Sequence, residues 1–323
     1  MMEKREDVSE LLDSGTLEPE LESELKLSHE LLRFAAEELD LPASGSYTQF
    51  VRTGQDAITW NVVAAPEFSL SPKRWCFLVS GCVPYRGYFK QADAGKFADK
   101  LAKKNFDTAV SPAIAYSTLG WFDDPLLDTM LQYNEEQLAA FIFHELAHQR
   151  LYIKGDTAFN EAYAGFVEEA GVRRWLESTG QAEQLVRWQE QESASLQLNA
   201  LLQETRSKLA AVYASGQQPQ QMKKDKDGVF NKMRADYQML VDQSWGGKNF
   251  FPSLLAPEFN NARLALINTY QGGACAFENL YRSAGGAMSR FNQLAADKAA
   301  LGRTQRSSWL NEPCQVIASN SDL

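Results

Sequence analysis

The sequence feature that most constrains the fold is the pentapeptide His144-Glu145-Leu146-Ala147-His148, which lies in a segment with helical character. On a helix, residues four positions apart share one face, so both imidazoles can approach a single cation. The segment is also rich in apolar residues, and burying two imidazoles there without partners would cost free energy. The pattern therefore predicts a metal-binding helix and a fold that brings a third ligand to it.

Glu161 is the expected third ligand, and it lies 13 positions after His148. A helix rises about 7.5 Å over five residues, and Gly155 then permits a reversal of the chain. Four or five residues of the next helix return Glu161 to the level of the histidines. The alternative for this region is a helix N-cap at Asn160 or Glu161. The remaining histidine, His29, is expected to be a half-buried residue of an amphipathic helix.

Two histidines and one glutamate are a ligand set typical of catalytic zinc, with a fourth position open for water. Zinc lowers the pKa of that water to about 7, and a neighbouring carboxylate can accept its proton and pass it to a leaving amine. The sequence thus predicts one Zn²⁺ bound by His144, His148 and Glu161, with Glu145 as the general base.

The order of predicted elements is helix, strands, then helices, which indicates an α+β fold. Residues 1–19 are expected to form a loose N-terminal arm. Helical periodicity follows from Leu21 to Leu39, and β-branched and aromatic runs predict strands within 57–90 and 108–118. Residues 20–180 are therefore expected to hold a small mixed sheet packed on the metal-binding helix.

Residues 181–323 are predicted to be mostly helical. Their main feature is a long hairpin of two polar helices, at 181–214 and 222–242, separated by a Gly- and Pro-containing turn. Shorter helices are expected near 257–271 and 286–300.

Charge and hydropathy exclude some classes of function. Acidic residues outnumber basic ones by 42 to 32, and the net charge is −10, which argues against a nucleic-acid partner. No apolar run approaches the length of a transmembrane helix, so none is predicted. The four cysteines leave the redox compartment open: Cys76 and Cys82 either pair across a turn or stay as buried thiols, and pairing of Cys275 with Cys314 is equally open.

The chain resembles the bacterial family of predicted aminopeptidases, within the glutamate-ligand (gluzincin-type) group of HExxH zinc metallopeptidases. The resemblance is carried by HELAHQ at 144–149 and DTAFNEAYAGFVEEAG at 156–171, and it extends to segments 75–77, 81–89, 115–125 and 260–264. It implies a zincin-like fold, a peptide or protein substrate, and the ligand and base roles already given. It also implies that the strand at Ile114–Leu119 pairs with an extended substrate.

The resemblance implies a location in the bacterial cell envelope, because family members often begin with a lipoprotein signal and a lipidated cysteine. This sequence shows neither feature, so a cytoplasmic location stays the alternative. The sequence does not indicate an oligomeric state.

Three further residues are candidates for contact with a substrate. Tyr116 and Tyr270 could donate a hydrogen bond to a tetrahedral oxyanion, although packing is the simpler explanation for each of them. Glu168 lies seven positions after Glu161, on the same helical face, where it could support a ligand or bind a substrate ammonium group. The Asp-Asp-Pro sequence at 123–125, after the predicted edge strand, could also bind that ammonium group, but it is more simply explained as a turn and a helix cap.

The preferred function is zinc-dependent aminopeptidase activity. The alternatives are a zinc endopeptidase and a non-catalytic, zinc-stabilised binding protein, and the presence of Glu145 argues against the second because a structural zinc site needs no base.

Overall fold

A computed structural model describes residues 5–77, 81–115, 123–256, 258–267 and 273–314. They form two compact units. The first takes the described residues of Met1–Asp56, Ala115–Gln184 and Thr269–Leu323, and the second those of Ala57–Ile114 and Leu185–Asn268. Each unit is therefore discontinuous in sequence, whereas the predicted regions divide the chain along its length near residues 19 and 180.

The first unit contains a small mixed sheet and the helices that carry the HExxH motif. Its elements are β1 (Glu6–Asp7), α1 (Val8–Asp13), α2 (Pro19–Glu38), β2 (Gln49–Val51), β8 (Leu126–Leu127), α4 (Glu135–Arg150), α5 (Thr157–Ser178), α9 (Ala274–Ser283), α10 (Met288–Ala299) and α11 (Arg303–Leu310).

The second unit contains an antiparallel sheet, a β-hairpin and the long helices. Its elements are β3 (Thr59–Pro66), β4 (Trp75–Phe77), β5 (Gly81–Val83), β6 (Tyr85–Tyr88), α3 (Gln91–Ala102), β7 (Phe106–Ala113), α6 (Ala182–Tyr213, from Leu185 onward), α7 (Pro219–Met239), a π-helical turn (Leu240–Ser244), a 3₁₀ turn (Pro252–Leu255) and α8 (Asn261–Ile267).

The mixed sheet of the first unit begins in the N-terminal segment that was expected to be a loose arm. Strand β1 pairs antiparallel with β2, where Glu6 lies opposite Phe50, and β2 pairs parallel with β8. Helix α1 follows at once, with the Asp7 side chain accepting hydrogen bonds from the backbone at its first turn. Ordered structure therefore starts earlier than the sequence predicts, because the polarity of this segment conceals a pairing with a distant strand.

Helix α4 begins with a capping box that is centred on its N-cap residue, Asn134. The Asn134 side chain accepts from the Gln137 backbone N–H at 2.9 Å, and the Gln137 side-chain oxygen accepts from the Asn134 N–H at 3.3 Å. This reciprocal capping box satisfies two backbone donors that a helix start would otherwise leave unpaired. Two glutamates in the first turn also suit the positive end of the helix dipole.

Helix α4 packs along α5, and Gly171 makes the close approach of these helices possible. A Cβ atom at Gly171 would lie 2.8 Å from Phe143 of α4 and 2.8 Å from Leu39. Phe143 in turn packs against Phe34 of α2, whose ring meets Trp175 of α5 edge to face. Helix α4 therefore packs on α2 through two aromatic rings and lies close to α5 at Gly171, inside the first unit.

The second unit is built on an antiparallel sheet of order β6–β3–β7. Helix α3 packs on it through a buried cluster that includes Val62 and Ala98. The α+β class, the small sheets and the helical C-terminal half confirm the predicted fold class; the β6–β3–β7 sheet belongs to the second unit, and the mixed sheet β1–β2–β8 belongs to the first. The strand predicted to reach Thr118 ends at Ala113, so the predicted substrate-pairing strand Ile114–Leu119 is not formed at Ile114 or at residue 115, and its remainder lies outside the described residues.

The helical hairpin of α6 and α7 confirms the predicted pair of long helices. Its apolar positions share a buried cluster with the segment that follows, including Leu202, Phe230, Tyr237 and Trp245. None of the helices in the described part of the chain is long and apolar enough to cross a bilayer.

All four cysteines form disulfides. Cys76 of β4 and Cys82 of β5 lie opposite each other in antiparallel strands and are bonded, so of the two alternatives the disulfide is the one formed. Cys275, at the start of α9, is bonded to Cys314.

Candidate metal centre

Consecutive helices α4 and α5 bring the three predicted ligands together. His144 Nε2 lies 3.4 Å from Glu161 Oε2, and His148 Nε2 lies 3.6 Å from Glu161 Oε1. One ligand atom from each residue can be chosen so that all three lie within 4.8 Å of one another. Among the described residues this is the group of histidines, cysteines and acidic residues compact enough to hold a cation. His29 is exposed on α2 and is not part of it.

The loop between the two helices is closed by Asn160. Its side chain accepts from the Ile153 N–H at 2.8 Å and donates to the Ile153 carbonyl at 2.9 Å. The N-cap of α5 is Asp156, whose carboxylate accepts from the backbone N–H of the third helical residue, so neither Asn160 nor Glu161 has the capping role considered as an alternative. Glu161 is therefore left to face the histidines.

Glu168 lies behind His144. Its Oε2 is 2.9 Å from His144 Nδ1, the ring nitrogen that does not face Glu161. A carboxylate on the far nitrogen of a metal-binding histidine fixes the tautomer and the ring orientation, and it increases the basicity of the other nitrogen. Of the two roles predicted for Glu168, this contact favours support of a ligand.

His148 is buried more deeply than His144. Its side chain is 5% exposed, and the two imidazole rings meet edge to face with centroids 4.8 Å apart. Its Nδ1 is buried and has no hydrogen-bond partner within the described part of the chain. The two histidines are therefore supported differently, one by a carboxylate and the other by packing.

The charges of the centre are strongly coupled. Burial lowers the pKa of His144, but hydrogen bonds to Glu161 and Glu168 outweigh it and raise that pKa to about 10. Burial likewise raises the pKa of Glu161, but hydrogen bonds from His144 and His148 outweigh it and lower that pKa to about 2. The carboxylates thus favour a positive charge at His144, and a bound cation would supply charge of the same sign at this position.

Glu145 lies beside the ligands on α4. Its Oε2 atom is buried and makes no hydrogen bond to any described residue. Burying a carboxylate oxygen without a hydrogen-bond donor costs free energy, and buried polar atoms of this kind are often found at functional sites. The position agrees with the predicted base, because Glu145 is close to the ligand set but is not one of its members.

Two other predicted residues, Tyr116 and Tyr270, lie outside the described residues, so their oxyanion role stays a prediction. Two features around these residues have little signal in the sequence. One is the loop closure by Asn160, for which the only signal was its position beside Glu161. The other is a turn at Ser46 and Tyr47 that packs on α4. In the sequence this turn is only part of a Ser- and Gly-containing segment that follows a helix.

Comparison with known proteins gives one match. The model of a family described as "Putative aminopeptidase" matches residues 1–310. No curated protein and no solved structure matches the chain significantly.

Proposed function

Because the chain belongs to the putative aminopeptidase family, we propose that it is a zinc-dependent aminopeptidase whose ligands are His144, His148 and Glu161. The observation that carries the proposal is the convergence of two imidazole nitrogens and a carboxylate oxygen within 4.8 Å. Family membership supports a peptide substrate, and the ligand set supports the metal.

The residues fit zinc in number and in kind. Catalytic zinc sites commonly use two histidines and a glutamate and keep a further position for water or substrate. The contact between Glu168 and His144 adds the outer carboxylate that zinc-binding histidines usually have. When bound, zinc supplies a Lewis acid that polarises a carbonyl oxygen and lowers the pKa of water to about 7.

The protein's own contribution to hydrolysis is proton transfer by Glu145. Its carboxylate accepts the proton of the attacking water and then donates it to the nitrogen of the leaving amine. Glu145 is ionised again after the second transfer, so one residue can serve both proton transfers. His144 stays oriented throughout, since Glu168 holds its far nitrogen.

We expect the purified protein to contain about one zinc per chain and to cleave peptides that have a free N-terminus. N-acetylated copies of the same peptides should be cut at least about tenfold more slowly, because acetylation removes the ammonium charge that an aminopeptidase recognises by charge-assisted hydrogen bonds. Zinc is measured by elemental analysis, and cleavage by mass spectrometry with and without a chelator.

Other outcomes distinguish the alternatives. Equal cleavage of acetylated peptides at internal bonds would identify an endopeptidase. Stoichiometric zinc without cleavage of any peptide in a broad library would indicate a non-catalytic, zinc-stabilised protein. Absence of zinc after loading would contradict the metal centre itself.

We also propose an oxidising location, such as the bacterial cell envelope. The support is that all four cysteines are paired, which is unusual for proteins of the reducing cytosol. Alkylation of the protein with a thiol reagent in intact cells, before any reduction, is expected to modify none of its cysteines. Modification of all four would indicate a cytoplasmic protein.

A further inference from the structure

A turn at Ser46 and Tyr47 lies along the face of α4 that carries Glu145. Phe141, Glu145 and Gln149 are spaced by four, so they share one face of the helix. The Tyr47 ring meets the Phe141 ring edge to face with centroids 6.2 Å apart, and Gln149 Nε2 donates to Ser46 Oγ at 3.1 Å. The turn thus contacts α4 one helical turn before Glu145 and one turn after it.

The backbone of Tyr47 is held in a conformation that a tyrosine rarely adopts. Its φ is +64°, in the left-handed region that favours glycine. Its N–H donates to the Asp124 carbonyl at 2.6 Å, and the Asp124 N–H donates to Ser46 Oγ at 3.1 Å. Strain of this kind persists where the surroundings determine the conformation, and it concentrates at functional sites. Here the left-handed backbone conformation directs the Tyr47 side chain into the interior of the unit, where it is 2% exposed.

The hydroxyl of Tyr47 and Oε2 of Glu145 are complementary buried atoms. Neither makes a hydrogen bond to a described residue, so they do not bond each other directly. Burial, followed by the negative charges of Glu145 and Asp124, raises the pKa of Tyr47 well above 10, so the hydroxyl remains a donor. Because the Tyr47 ring packs on Phe141, one helical turn from Glu145 on the same face, both atoms belong to one side of α4. Buried donors and acceptors that lack a protein partner are the groups that internal water commonly bridges.

We propose that Tyr47 is a positioning residue for Glu145, and that its hydroxyl donates through one buried water to Glu145 Oε2. This inference rests on the proposed function, in which Glu145 is the base. Holding Oε2 fixes the rotation of the carboxylate and leaves Oε1 to accept and return the proton. A carboxylate that is free to rotate reaches the productive orientation less often, because proton transfer requires hydrogen-bond geometry.

The test is Tyr47→Phe in the zinc-loaded protein. This change removes the donor and keeps the ring that packs on Phe141. We expect kcat for a free peptide to fall about tenfold, the effect of losing roughly one hydrogen bond at 1.4 kcal/mol per factor of ten, while KM and zinc content stay unchanged. The control is Tyr237→Phe in the other unit, which removes a buried hydroxyl bonded to Asn249 and the Phe251 N–H. That variant should lose stability and keep kcat.

A second measurement does not depend on turnover. A high-resolution crystal structure of the protein should show one water within hydrogen-bond distance of Tyr47 Oη and Glu145 Oε2, and this water should be lost in Tyr47→Phe. An unchanged kcat in Tyr47→Phe, or a crystal structure without the bridging water, would overturn the inference. If the wild-type protein cleaves no peptide, the proposed function fails instead, and the crystallographic result alone decides whether Tyr47 orients Glu145.

Discussion

Glu145→Gln is expected to abolish most peptide hydrolysis while the protein keeps its zinc. Glutamine has nearly the same shape as glutamate, but its amide cannot accept the proton of water. General-base catalysis contributes about 10²–10⁴-fold to a rate, so kcat should fall by that factor. Zinc content should not change, since Glu145 is not among the three residues that converge on the cation position. Steady-state kinetics and elemental analysis on the same sample test both expectations.

The control for this variant is Glu177→Gln. Glu177 is exposed on α5, and the substitution removes the same charge without touching the metal centre. Its kcat should equal that of the wild type. If Glu145→Gln retains wild-type turnover with a full complement of zinc, another group is the base, and the role given to the HExxH glutamate is wrong.

Replacement of the third ligand should have the second large effect. Glu161→Ala leaves two imidazoles, and we expect it to lose zinc during dialysis against a weak chelator. Glu168→Ala keeps all three ligands but removes the group that orients His144, so its zinc affinity should fall by about 10–100-fold. Competition with a chromophoric chelator measures both affinities. The result that distinguishes the two roles is that zinc affinity should fall further in Glu161→Ala than in Glu168→Ala.

Equal zinc affinity in Glu161→Ala and the wild type would show that the third ligand lies elsewhere. A larger loss in Glu168→Ala than in Glu161→Ala would reverse the roles given to these residues. Circular dichroism of each variant should match the wild type, which separates loss of a ligand from loss of the fold.

The grouping of His144, His148 and Glu161 could be predicted from the sequence because its geometry is local. His144 and His148 are one helical turn apart, Gly155 reverses the chain, and Glu161 falls on the next helix at the matching height. Helical periodicity also placed Glu168 on the same side as Glu161. Each of these inferences uses only the rise and pitch of a helix and the conformational freedom of glycine.

Long-range pairings could not be predicted in the same way. The hydrogen bond from Gln149 to Ser46 joins residues 103 positions apart, and nothing in either local pattern indicates the other partner. The pairing of Glu6 with Phe50 is hidden for the same reason, since a two-residue strand has no periodicity to detect. The Cys76–Cys82 bond depends on whether the chain turns between them, and both a straight strand and a hairpin agreed with the local residues.

Metal loading of this centre does not have to organise the chain. In small zinc domains the ligands meet only when the cation binds, so binding energy goes into folding. Here the Asn160 hydrogen bonds and the packing of α4 on α5 already hold the ligand atoms within 4.8 Å. These contacts within the protein offset part of the entropy cost of closing the loop between the two helices. A cation that binds this group would therefore spend little of its binding free energy on bringing the ligands together, and by mass action it would stabilise the folded chain further.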